Sequence, residues 1–118
     1  MQQSQDDPEV RLIEAARIVA AAEHQMWAQM LDHSEALEAE YSQTPEFFLR
    51  QSQLRSIALE IGVAMKMSEG QVHRILSAAE RLRDQAPAAW SAFADGVIDG
   101  KRAVLVSDAI GRVQRPAS

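Results

Sequence analysis

An all-α fold of about five helices, one of them long and N-terminal, is what this sequence predicts, and three observations carry the prediction. Apolar residues recur at spacings of three and four along most of the chain. Helix-start and helix-stop residues punctuate that pattern at intervals. No alternation of apolar and polar residues runs long enough to build a sheet. The stretch from Ser56 to Leu82 lies at the centre and reads as two helices joined by a tight turn, a helix-turn-helix.

Residues 1–8, rich in Gln and Asp and ending in Pro8, read as a disordered lead. From Glu9 the helical pattern holds for about thirty residues. Ile13, Ala16, Ala20, Trp27, Met30, Leu37 and Tyr41 form one stripe, with Leu12, Val19 and Met26 in a second stripe beside it. So broad an apolar face needs more than one neighbour. Either the helix packs across the rest of the domain, or part of it pairs with another chain, for instance as a homodimer through Leu12, Val19 and Met26. Glu14, Asp32, Glu35 and Glu38 mark a solvated far face.

Thr44-Pro45-Glu46 has the marks of a second helix start: a hydroxyl cap, proline at the first helical position and an acid in the first turn. That helix runs to about Met65 and turns Phe47, Phe48, Leu54, Ile57, Ala58 and Ile61 inward, with small Gly62 allowing close approach. After a turn at Lys66 to Ser68, the order Ser68-Glu69-Gly70-Gln71 is a capping box and opens a third helix. Val72, Ile75, Leu76, Ala79 and Leu82 supply its apolar stripe. Pro87 ends that stretch, a short helix Ala88 to Ala94 is anchored by Trp90 and Phe93, and Gly96 is placed for a left-handed stop. Asp99 caps a last helix, Gly100 to Val113, with Ala103, Val106, Ala109 or Ile110, and Val113 inward. Lys101 and Arg102 break a local rule, because cations are disfavoured in a helix's first turn. The end, 114–118, reads as a frayed tail.

With 118 residues the chain has room for one domain, assigned to 9–113, with the helix-turn-helix at about 56–82. Absence of cysteine excludes disulfide scaffolds and thiolate metal sites. No apolar run approaches the ~20 residues of a membrane span, and the start MQQSQDDPEV lacks the parts of a signal peptide, so a cytoplasmic protein away from membranes is expected. The net charge of −5 is unevenly spread. Two basic residues stand against ten acidic ones up to Leu49, whereas ten basic stand against seven acidic from Arg50 onward. The cations therefore collect where the helix-turn-helix lies.

The order Ser68-x-x-Gln71-Val72, Ala78-Ala79-Glu80-Arg81-Leu82, Ala86-Pro87, Ala94-Asp95-Gly96-Val97-Ile98 and Arg102-Ala103 resembles domain-of-unknown-function family 222. That helical domain precedes HNH endonuclease domains in many bacterial proteins. The likeness covers about Leu54 to Ala109. The same run is similar to the helix-turn-helix core of ParB-type partitioning proteins. Both likenesses imply a DNA-contacting or DNA-positioning module. The paired histidines of the HNH nuclease do not occur in this chain, so the resemblance implies no catalysis here. A helix-turn-helix turn commonly holds glycine where this sequence has Lys66.

If the motif contacts DNA, its second helix presents N-terminal residues to the major groove. Gln71 would read adenine, Arg74 guanine or a phosphate, and His73 lies beside them. Lys66 and Lys101, together with Arg81, Arg83 and Arg102, are candidate phosphate contacts, while Glu69 opposes binding. Gly100 to Arg102 would form an anion site at a helix start, or else both side chains simply point into water. The other reading of the motif is a three-helix scaffold in which Gln71 serves only its own cap. A helical protein–protein interaction or dimerisation module is the alternative function. His24, His33 and His73 form no helical metal pair, and no nucleophile elbow, P-loop or dinucleotide fingerprint occurs, so neither metal nor cofactor is expected.

Overall fold

The computed structural model describes residues 7–42 and 47–114, with side chains from Ser52 onward in the second segment. The fold is all-α, and the described residues hold five helices and no strand: α1 (Pro8–Tyr41), α2 (Phe47–Met65), α3 (Glu69–Gln85), α4 (Pro87–Ala94) and α5 (Gly100–Gln114). Most of the expected lead, the Thr44-Pro45-Glu46 start and the tail beyond Gln114 lie outside the described residues.

α1 begins one residue earlier than the apolar pattern suggests, because Asp7 and Pro8 make a better start than the pattern shows. The Glu9 N–H donates to Asp7 Oδ1 at 2.9 Å, and Pro8 occupies the first turn, where no N–H is needed. From there the helix continues through Ser34, which is buried, to Tyr41. By compactness the chain divides into two units. One comprises the segments 1–26 and 81–118, the other Trp27 to Glu80, so α1 and α3 each contribute residues to both.

In the Trp27–Glu80 unit the buried apolar residues are Trp27, Met30, Leu31, Ile57, Ala58, Ile61, Val72, Ala78 and Ala79. These are largely the residues whose three-and-four spacing marks the inner faces of α1, α2 and α3. α2 ends at Met65 and α3 begins at Glu69, leaving a three-residue connection. Its geometry is a Schellman motif. The Met67 N–H donates to Gly62 O at 2.8 Å, the Lys66 N–H reaches Val63 O at 3.4 Å, and Lys66 itself is left-handed with φ 58°. Lys66 thus takes the conformation that glycine usually supplies. Glycine is required one turn earlier instead, at Gly62, where a Cβ would meet Met67 O at 2.7 Å and Val72 Cγ2 at 3.7 Å. Beyond the turn, the Gln71 N–H donates to Ser68 Oγ at 3.1 Å and the Ser68 N–H to Gln71 Oε1 at 3.2 Å, which completes the capping box.

The other unit is built from the first part of α1, the end of α3, α4 and α5. Ala20, Leu82, Phe93 and Ala103 are its buried apolar residues, joined by buried Ser107. Its rings form a cluster: the His24 centroid lies 4.3 Å from Trp90 and 5.2 Å from Phe93, the second contact edge-on. α4 starts on Pro87 and ends in another Schellman motif, with Gly96 N–H to Phe93 O at 3.0 Å and Val97 N–H to Ala92 O at 2.9 Å. Here the left-handed residue is Gly96, φ 75°, and a Cβ on it would collide with Arg17 O. α5 departs from the expected stripe. It buries Gly100, Ala103 and Ser107, while Val113 is 84% exposed. Small residues win there because Arg81 from α3 lies across that face, with Nη1 donating to Ser107 O at 3.0 Å and standing 2.8 Å from where a Cβ on Gly111 would be.

Two measurements follow from these contacts. A non-glycine residue in the left-handed region costs about 1 kcal/mol or more, so Lys66→Gly should raise the free energy of unfolding by about 1 kcal/mol, shifting the denaturant midpoint upward without changing the m-value. His24 titrates below its usual 6.5 because burial disfavours the imidazolium, with the Asp95 charge opposing the shift, and its Nε2 has no hydrogen-bond partner among the described residues. The unfolded chain therefore binds more protons between the two pKa values. The stability this group confers is complete above about 6.5 and is lost as pH falls through the lower folded value. Urea melts of the wild type and of His24→Leu at pH 5 and pH 7.5 should show a wild-type rise with pH that exceeds the rise in the variant.

Candidate nucleic-acid interface

The exposed side of α3 follows from its buried side. Val72 and Ala79 face inward with the half-buried Ile75 beside them, so Gly70, His73, Arg74 and Ser77 lie at i, i+3, i+4 and i+7 on the outward face. All four are exposed. Among the described residues neither His73 nor Arg74 makes a hydrogen bond or an ion pair. Lys66 is exposed at the turn immediately before this helix, and its left-handed backbone belongs to the turn that fixes the start of α3.

Gln71 is exposed as well, but its side-chain oxygen accepts the Ser68 N–H. Bidentate reading of adenine needs both amide atoms, so Gln71 in this arrangement has only its NH2 group to offer. Glu69 is half-buried, with its carboxylate 4.0 Å from Arg55 Nε, which turns part of its charge toward α2. Lys66, Gln71, His73 and Arg74 thus fall in one continuous segment of the Trp27–Glu80 unit. Lys101 belongs to the other unit, exposed in the first turn of α5.

Of the other candidate phosphate contacts, Arg81 and Arg83 are committed within the chain. Arg81 reaches Ser107 O and, at 3.3 Å, Ser107 Oγ. Arg83 pairs with Asp84 at 2.7 Å and holds that carboxyl below its usual range, chiefly through the hydrogen bond. Arg102 is 71% exposed and lies 4.0 Å from Asp99, a distance that contributes little.

The start of α5 is not an open anion site. The Gly100 N–H donates to Glu23 Oε1 at 2.9 Å, and the Arg102 N–H to Asp99 Oδ1 at 2.9 Å. A carboxylate from α1 and the cap residue already hold the positions an external anion would take. The sequence shows Asp99 as the cap but conceals Glu23, 77 residues away, because nothing in local spacing pairs an α1 acid with an α5 backbone group. With two carboxylates at that helix start, Lys101 and Arg102 are tolerated there. A shallow cleft nearby in the same unit is lined by Ile13, Ala16, Arg17, Val97 and Arg102, but Arg17 Nε already donates to Asp95 O at 3.0 Å.

No group of three or more metal-ligating side chains occurs among the described residues, and no described helix is long and apolar enough to cross a membrane. Comparison with family models, curated proteins and solved structures returns no match to this chain. The Glu23 contact is open to direct measurement. Glu23→Ala should destabilise the protein by about 1 kcal/mol in denaturant melts, as loss of a helix cap does, and Glu23→Gln should cost less because its amide oxygen still accepts.

Proposed function

We propose that this chain is a non-catalytic DNA-binding or DNA-positioning module, and that α2, the Lys66–Ser68 turn and α3 act as a helix-turn-helix. The observation that carries the reading is the outward face of α3, where His73 and Arg74 stand exposed, with no hydrogen-bond or ion-pair partner among the described residues, one turn beyond a hydrogen-bonded connection. In this reading α3 enters the major groove, Arg74 meets guanine or a phosphate, and Lys66 neutralises backbone charge. The resemblance to the helical domain that precedes HNH nucleases fits the same role: in longer relatives such a module would dock a nuclease on DNA, and this chain would act in the cytoplasm. A second reading, a helical interaction module that uses no nucleic acid, is favoured by the apolar residues left exposed on the first half of α1.

Fluorescence anisotropy with a random-sequence duplex across a salt series tests the first reading. Binding should appear with a Kd of about 10⁻⁴ to 10⁻⁶ M and weaken steeply with salt. Arg74→Ala should reduce affinity several-fold, and Lys66→Ala should lower the salt slope by about one at all sequences alike. No binding at low salt would mean that the turn and α3 serve only as scaffold.

A further inference from the structure

Every described residue from Asp7 to Val19 is exposed, and large apolar side chains stand among them: Leu12 is 71% exposed, Ile13 61%, Ile18 62% and Val19 67%. One line along it has a particular spacing. Pro8, Leu12, Ala15, Val19, Ala22 and Met26 follow one another at intervals of four and three, the seam of a two-stranded coiled coil. The six positions carry no charge, so nothing ionised would be desolvated by covering them. They also alternate in size. Leu12 and Val19 are large, while Ala15 and Ala22 are small.

We propose that this face of α1 binds a second copy of the chain, antiparallel about a two-fold axis, with Leu12 opposite Ala22 and Val19 opposite Ala15 of the second copy. The inference deepens the interaction reading above and names the partner of that face. Size alternation selects the orientation. In an antiparallel pair each large residue meets a small one and the layers interdigitate, whereas a parallel pair would stack Leu12 on Leu12 and Ala15 on Ala15, alternating crowded and empty layers. A two-fold axis also makes the contact self-limiting at two copies. Residues 8–26 span about 27 Å of helix. Such a seam buries on the order of 500 Å² per copy, at the low end for specific interfaces, so the dimer should form reversibly with a Kd of about 10–100 μM.

Sedimentation equilibrium from about 1 to about 500 μM should show the mass rising from one chain to two over that range. A mass of one chain throughout would overturn the dimer, while the interaction reading on which it rests would then require a partner other than a second copy. Val19→Glu should raise the dissociation constant at least tenfold at unchanged helical circular dichroism, and an unchanged constant would exclude this face. Orientation has its own test, which does not depend on Val19→Glu folding. The chain has no native cysteine, so Leu12→Cys and Ala22→Cys can be made as separate proteins and oxidised singly and mixed. The mixed 12–22 disulfide should dominate. Efficient 12–12 and 22–22 products with little of the mixed species would leave a dimer but refute the antiparallel arrangement.

Discussion

An α-helix cannot satisfy the backbone groups at its own ends, and in an all-α fold the way those groups are met decides where each element starts, stops and points. Four of the contacts that define this structure are of that kind. Asp7 receives α1, the Lys66 turn closes α2, the reciprocal Ser68–Gln71 bonds open α3, and Glu23 meets α5 from a distant part of the chain. Apolar burial supplies most of the driving force, but it is not directional. The end contacts give it direction.

The two Schellman turns show how much freedom a side chain has within that constraint. At Gly96 the left-handed conformation coincides with the close passage of Arg17, so a side chain is excluded on both counts. At Lys66 only the backbone angle is demanding, and the long side chain runs out into solvent. A small energetic penalty is accepted there, and a cation is placed at the leading edge of α3. In the functional reading proposed above, that cation is what the turn gains by not being glycine.

The first turn of α5 shows a local rule broken and then compensated through tertiary structure. Lys101 and Arg102 oppose the helix dipole, yet two carboxylates, one local and one from α1, bind the N–H groups beside them. The same arrangement removes the site at which an external phosphate would have been expected. A cationic first turn is therefore not a sufficient sign of anion binding, because the protein's own acids compete for the same donors.

Local chemistry determined the five helices, the capping box, the left-handed stop at Gly96 and most of the buried residues of α2 and α3. Each depends on residues within a few positions of one another, where spacing is visible in the chain itself. Within the candidate interface, the order of Lys66, Gln71, His73 and Arg74 was equally legible, since all four fall within nine residues. Tertiary structure alone decided three things. Glu23 fills the α5 start, Arg81 faces Ser107 rather than solvent, and α5 buries Ala103 and Ser107 while leaving Val113 outside. All three hinge on groups 26 to 77 residues apart or on which of two apolar faces finds a neighbour. Helical periodicity marks a face as apolar, but only the packing of the other elements determines whether anything covers it.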